Sequence, residues 1–306
     1  SNCGSGKTEA SYFKMLENNR KTIIVEPIQT LATGIRDRLN NYNKRWGLQE
    51  VTLQHGSISE DRFLKNKYCV TTIDQVLSGY LMLGKQSAIR GKNVLLSNII
   101  FDEVQLFDTE SMLLTTINML DEIYKINNKF IIMTATMPQY LIDFFSKRYD
   151  MEVVISENEN NKNAKIRYIK ELNIENIINY KRKQIIICNT INQARNISNK
   201  IPLDRQIILN SRFYKKDRDE IEQNIYKYFG KNSNENDKIL ITTQIVEVGI
   251  DISANRVYTA PCKIDNLIQR EGRCCRWGGD GEIIMFEEDY CIYNKKIVEY
   301  TINHII

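Results

Sequence analysis

Short runs of apolar, β-branched residues alternate with longer amphipathic stretches along the whole chain. In the first half, Thr22–Val25, Val51–Gln54, Tyr68–Thr71, Asn98–Phe101 and Phe130–Met133 read as strands. In the second half Lys165–Tyr168, Gln184–Ile187, Gln206–Leu209, Lys238–Ile241, Arg256–Thr259 and Glu282–Phe286 do so. These runs are nearly continuous rather than alternating, which marks strands covered on both faces, as in a parallel sheet. Helical patterning falls between them: from about Lys7 to Glu17, then Thr30–Asn41, Ile73–Leu81, Glu110–Lys125 and Pro138–Ser146. It continues over Asn173–Tyr180, Ile191–Asn199, Lys215–Tyr228 and Ile264–Arg270. The prediction is an α/β protein. The polar, aperiodic stretch around Ser156–Ala164 reads as a linker and separates domains at 1–155 and 166–306, with 156–165 between them. Lys231–Asp237 reads as a surface loop before a core strand.

Composition narrows this picture without changing it. A length of 306 residues suits about two domains, and 42% hydrophobic with 26% charged residues is ordinary for a globular protein. No apolar run approaches the roughly 18 residues of a membrane span, so no membrane partner is expected. The net charge of +4 permits nucleic-acid binding without requiring it. None of the seven cysteines is spaced as Cys-x-x-Cys, and Cys274 and Cys275 are adjacent, which suggests a reducing compartment and hence the cytoplasm. With only His55 and His304, a histidine-built metal site is excluded from this stretch. The chain begins without Met and inside a motif, and it reads as a fragment of a larger protein.

That motif is Ser1-Asn2-Cys3-Gly4-Ser5-Gly6-Lys7-Thr8, a phosphate-binding loop with Ser1 where the first glycine normally stands. Gly4 and Gly6 let the backbone, Ser5 included, turn its N–H groups toward phosphate oxygens. Lys7 reaches the β- and γ-phosphates, Thr8 holds Mg²⁺, and the following helix offers its positive end to the same anion. The predicted strand Asn98–Phe101 runs into Asp102-Glu103-Val104-Gln105. Carboxylates at a strand's C-terminal end suit Mg²⁺ binding by Asp102 and polarisation of an attacking water by Glu103. Thr134-Ala135-Thr136 closes another strand; its hydroxyls can bridge the nucleotide site to a neighbouring surface by hydrogen bonds, and alone it also reads as a strand end that caps the next helix. Gln269-Arg270-Glu271-Gly272-Arg273-Cys274-Cys275-Arg276 gathers three arginines. Either it is a basic solvated turn, or Arg273 and Arg276 act as fingers on the γ-phosphate from a second domain.

The ordered series resembles a superfamily 2 helicase motor. It runs from Gly4–Thr8 through Asp102–Gln105, Thr134–Thr136 and Thr242-Thr243-Gln244-Ile245-Val246-Glu247-Val248-Gly249-Ile250-Asp251 to Gln269–Arg276. Within that superfamily it is similar to the helicase portion of the CRISPR-associated helicase–nuclease of type I interference systems. Supporting stretches are Glu26–Ala32, Thr71–Leu77, Cys188–Ala194 and Asn210–Phe213. The resemblance implies two tandem RecA-like domains, each a mostly parallel sheet flanked by helices, with ATP held with Mg²⁺ between them. It implies nucleic-acid backbone contacts from Pro27, Thr30, Thr71 and Thr72 on the first domain. On the second it implies them from Asn189, Thr190, Arg212, Thr242, Thr243 and Gln244. Asp251 corresponds to a nucleotide contact and Gln269 to a residue near the γ-phosphate water. The implied activity is ATP-driven translocation on single-stranded DNA, 3′ to 5′, by a monomer. The implied partners are a CRISPR effector complex and a nuclease domain in cis or trans.

Two departures qualify this. Gln105 replaces the family's usual histidine and keeps hydrogen-bonding capacity without titrating. The strand that would precede the phosphate loop is not in the sequence, so weak nucleotide binding is expected. Two other readings stay open: a helicase of another defence or RNA-processing system, and a nucleotide-gated clamp on nucleic acid that does not unwind it. A comparison of DNA and RNA as ATPase stimulators separates the first.

Overall fold

The structure is a computed structural model and describes residues 6–17, 19–84, 87–107, 111–155, 162–234, 236–247, 249–288 and 292–305. The chain divides into two compact units, Ser1–Glu157 and Asn158–Ile306.

In the first unit α1 (Lys7–Leu16) leads to β1 (Thr22–Glu26), α2 (Gln29–Trp46), β2 (Val51–His55), β3 (Ile58–Ser59) and β4 (Tyr68–Thr72). Then follow α3 (Ile73–Tyr80), α4 (Ser87–Leu95), β5 (Asn98–Phe101), α5 (Met112–Lys125), β6 (Phe130–Ile132) and α6 (Gln139–Tyr149). Among the described residues they form a six-stranded sheet in the order β3-β2-β4-β1-β5-β6. Its pairs are parallel except β2–β3, an antiparallel hairpin. Period-2 side-chain alternation gives each face its own core. Ile23 and Val25 of β1 pack with α3 and α5 residues such as Val76 and Leu120, whereas Ile24 packs with Tyr12 of α1 and Leu39 of α2. On α2 the buried positions are Ala32, Ile35, Leu39 and Asn43, the three- and four-residue spacing of one helix face. Gly47 ends α2 in the left-handed conformation, at φ 66°.

The second unit contains β7 (Lys162–Ile169), α7 (Ile174–Asn179), β8 (Gln184–Ile187), α8 (Ile191–Ser198), β9 (Gln206–Leu209) and α9 (Lys215–Phe229). β10 (Ile239–Thr242), β11 (Arg256–Thr259), α10 (Ile264–Glu271), β12 (Gly279–Phe286) and α11 (Lys295–Ile305) complete it. Its described strands form a six-stranded sheet, β7-β12-β11-β8-β10-β9, with every pair parallel. Again the faces alternate: Ile185 and Ile187 enter one core, and Ile186 the other.

The α/β class and the mostly parallel sheets agree with the sequence pattern. Three differences have physical causes. β7 begins at Lys162, so residues 162–165 belong to a strand and not to the expected linker. They pair with Gly279–Glu282 of β12, at one edge of the sheet, where half-exposed polar residues are tolerated. α4 was not expected. Its packing on α3 depends on Gly91: a Cβ there would lie 2.4 Å from the Gly79 carbonyl oxygen. α11 was also not expected; its polar positions mask the apolar ones. Glu110, expected to start α5, lies outside the described residues.

Candidate nucleotide and nucleic-acid sites

In the first unit, functional side chains collect at the C-terminal ends of β1, β4, β5 and β6. Parallel strands bring these ends to one edge, where α/β proteins place ligand groups. Gly4 and Ser5 of the phosphate loop lie outside the described residues. Gly6 adopts φ 76°, a left-handed turn that glycine makes without strain, and α1 starts at Lys7. This puts Lys7 and Thr8 in the first turn of a ten-residue helix, at its electropositive end.

Thr8 Oγ1 donates to Asp102 Oδ2 at 2.8 Å, across 94 residues of sequence. Both residues are buried. The Glu103 backbone N–H donates to Asp102 Oδ1 at 2.9 Å, which fixes the carboxylate plane. Burial raises the Asp102 pKa to about 6, and the Glu103 charge adds to it. The Thr8 hydrogen bond and Lys7 pull the other way. A hydroxyl and a carboxylate held together are hard oxygen donors of the kind Mg²⁺ takes, and a dication would relieve this carboxylate's desolvation. Thr8 and Asp102 therefore fit the ion.

Glu103 has φ 49°, a strained value for a non-glycine residue, and strain of this kind clusters at functional sites. Its carboxylate is held from the side: Gln105 Nε2 donates to Glu103 Oε2. Thr134 Oγ1 in turn donates to Gln105 Oε1 at 2.5 Å, and Thr134 Oγ1 accepts from the Thr136 N–H at 3.1 Å. Gln105 thus uses both ends of its amide to join Glu103 to the turn after β6. A second carboxylate sits behind Asp102. Glu26, at the end of β1, is fully buried and neither side-chain oxygen has a hydrogen-bond partner. Burial first, then the Asp102 and Glu103 charges, hold its pKa well above the carboxylate range.

Pro27 and Thr30 follow β1, and Thr71 and Thr72 end β4. The register pairs Glu26 with Thr72, so all four lie at one stretch of sheet edge. Thr71 donates its hydroxyl to the Gln54 carbonyl at 2.7 Å, inside the sheet. The buried Thr72 hydroxyl has no hydrogen-bond partner.

The second unit repeats the edge logic. β10 lies between β8 and β9, so Asn189 and Thr190 after β8, Arg212 after β9, and Thr242 at the end of β10 with Thr243 and Gln244 after it gather together. Thr190 caps α8, accepting from the Gln193 N–H at 3.2 Å. Asn189 donates to the Pro261 carbonyl at 2.8 Å, and Gln244 Nε2 donates to the Asn189 carbonyl at 3.1 Å. Arg212 is exposed.

Arg276 forms an ion pair with Asp251 and donates from Nη1 to the Gly272 carbonyl at 3.2 Å. Arg273 is buried and donates to the carbonyls of Val246 at 2.9 Å and Glu247 at 2.8 Å. Gln269 is buried on α10. The most heavily engaged group was not singled out by sequence reasoning. Arg270 is fully buried and pairs with Glu247 at 2.7 Å. It also donates to Thr259 Oγ1 at 2.7 Å, the Ala260 carbonyl at 2.9 Å and Asn189 Oδ1 at 3.3 Å. Its arginine-rich run drew attention, but nothing in the pattern distinguishes a buried arginine from an exposed one.

Comparison with known proteins agrees with the fold of both units. Residues 1–144 match the DEAD/DEAH box helicase family model, and residues 180–278 match the model of the C-terminal part of the CRISPR-associated nuclease/helicase Cas3. A putative CRISPR-associated nuclease/helicase Cas3 of Methanocaldococcus jannaschii is 28% identical over 99% of this chain and 48% of its own length. The crystal structure of T. fusca Cas3 with ADP superposes with a TM-score of 0.81 at 18% identity, covering 98% of this chain and 46% of that one. Mycobacterium smegmatis helicase Lhr bound to single-stranded DNA and AMP-PNP gives a TM-score of 0.68 at 17% identity, over 94% and 43% of the two chains. In fold and in the matched family models, the chain is similar to superfamily 2 helicases. Within that class the chain is like the helicase of Cas3. It spans about half the length of the curated relatives it matches.

Proposed function

We propose that this chain is the ATP-driven motor of a CRISPR-associated helicase, translocating 3′ to 5′ on single-stranded DNA. The observation that carries the reading is the Thr8–Asp102 contact beside a Glu103 carboxylate held by Gln105 and Thr134. Bound ATP supplies the phosphoanhydride and Mg²⁺ the charge neutralisation for its hydrolysis. Thr8 and Asp102 hold the ion, while Gly4, Ser5, Gly6 and Lys7 cradle the phosphates. Glu103 orients the attacking water and accepts its proton. The Gln105–Thr134 link transmits the state of Glu103 to the turn after β6. In the second unit Asp251, Gln269, Arg273 and Arg276 are the proposed responders to the nucleotide.

Pro27, Thr30, Thr71 and Thr72 grip the strand from one unit and Asn189, Thr190, Arg212, Thr242, Thr243 and Gln244 from the other. Small hydroxyl and amide groups suit backbone contact without base reading. A CRISPR effector complex and a nuclease domain, in cis or trans, are the proposed partners of a monomeric, cytoplasmic motor. No helix among the described residues is long and apolar enough to cross a membrane.

The test is ATPase activity with no nucleic acid, with single-stranded DNA and with RNA, followed by displacement of strands with 3′ or 5′ overhangs. DNA stimulation with 3′-tailed unwinding is expected. Absence of DNA stimulation refutes the motor, and stimulation by RNA alone refutes the CRISPR assignment.

A further inference from the structure

Two adjacent cysteines, Cys274 and Cys275, lie between Arg273 and Arg276 in the second unit, and Cys275 lines a basic cavity there. Cys274 and Cys275 follow Arg273 in a strap tied down by backbone hydrogen bonds. Cys275 N–H donates to the Ala254 carbonyl, Ala254 N–H to the Arg273 carbonyl and Gly278 N–H to the Cys275 carbonyl, each at 2.9 Å. Cys275 has φ 44°, so the chain turns sharply between the two sulfurs. Both sulfurs come to rest over Gly281 of β12. A Cβ on Gly281 would lie 2.6 Å from each of them, so only glycine leaves them room.

The two thiols differ. Cys274 turns inward, its thiol facing the carbonyls of Asn255 at 3.8 Å and Glu282 at 3.6 Å. Cys275 forms part of the wall of a cavity of about 220 Å³, shared with Arg182, Lys183, Lys231 and Trp277. Among the described residues lining it there is no carboxylate. Lys183 is engaged with the Ser233 carbonyl at 3.0 Å, while the side chains of Arg182 and Lys231 are exposed.

We propose that Cys275 is a thiol-modification site for anionic low-molecular-weight disulfides of the glutathione type, with the basic cavity seating their carboxylates. Charge selects this ligand class. Soft metal cations also seek paired thiols, but three basic side chains around the opening repel them. The surroundings also favour a thiolate: the Cys275 pKa is held below the ordinary thiol value, first by the Cys274 hydrogen bond and then by Arg182 and Lys162, against burial and Asp280. Burial pushes Cys69 up to about 12 and raises Cys188, so these thiols have no comparable reactivity. In the exchange, the Cys275 thiolate attacks one sulfur of the disulfide and a new sulfur–sulfur bond forms to it. The old bond breaks, and the other half leaves as a thiolate that takes up a proton. Cys275 is oxidised and the leaving sulfur reduced, with no further reagent.

The test incubates the full chain with oxidised glutathione or with neutral bis(2-hydroxyethyl) disulfide and locates the adduct by peptide mass mapping over time. Oxidised glutathione is expected to label Cys275 first, reversibly with dithiothreitol, and Cys275→Ser should remove that label. An R182Q/K231Q double variant, altered only at exposed side chains, should slow glutathione labelling about tenfold while the neutral disulfide reacts within about twofold of its original rate. First labelling at any other cysteine, Cys274 included, overturns the proposal. So does equal slowing of both reagents in the double variant.

Discussion

Glu26 carries an expense that a folded protein rarely keeps: a fully buried carboxyl without a hydrogen-bond partner. Its pKa in the fold stands well above the ordinary 4.5. The folded state therefore binds a proton that the unfolded state has released, and stability falls as pH rises beyond the ordinary value. Glu26→Gln removes that dependence. The variant is expected to melt higher than the parent at pH 8 and to lose this advantage near pH 4.5, read by thermal denaturation without nucleotide; an equal change at both pH values refutes the buried-acid account. Glu103 tests the proposed chemistry. Glu103→Gln keeps the shape and an acceptor for Gln105 but cannot take a proton. ATP turnover should fall on the order of 100-fold or more, the scale of a lost general base, while DNA is retained in the presence of ATP. Normal strand release by the variant points to a clamp. Gln105→Ala, which cuts the link from Glu103 to Thr134, should reduce DNA-stimulated ATPase more than basal ATPase.

Elements respond to close contacts that the linear pattern only partly records. α3 and α4 pack where Gly79 faces Gly91. Gly91→Ala forces a methyl group against a backbone carbonyl, and overpacking of this kind costs about 1–3 kcal/mol. The expected readout is a lower urea midpoint at unchanged slope. The strands were the most legible elements, because runs such as Ile185-Ile186-Ile187 and Ile99-Ile100-Phe101 have no stable place except between two helical layers. α4 was not legible: a glycine and several polar residues lower its helical signal, and its stability comes from α3. The site was legible to the same uneven degree. Gly6-Lys7-Thr8 and Asp102-Glu103 announce themselves because phosphate and Mg²⁺ demand those groups. Glu26 and Arg270 stayed silent, since burial is decided by residues far away in the chain.

The molecule as a whole has separate apolar cores for its two units. In each, among the described residues, the sheet divides the core into two clusters, one per face. Cooperative unfolding follows the continuity of a core, so damage within one unit should be felt there first. Arg270 offers the sharper lesion. Arg270→Met removes the guanidinium that joins Glu247, Thr259, Ala260 and Asn189, and it strands the Glu247 carboxylate in a buried position. Breaking one side of a buried pair costs about 3–5 kcal/mol, a large share of a domain's stability. Differential scanning calorimetry of the parent should resolve into two transitions. Arg270→Met should lower one of them and Gly91→Ala the other, and the double variant should show both shifts added. A single transition moved equally by either substitution would mean that the units share stability despite their separate cores. Nucleotide then discriminates further. If Thr8, Asp102 and the phosphate loop bind ATP with Mg²⁺, the ligand should raise the transition that Gly91→Ala lowers, because binding stabilises the unit that holds the site.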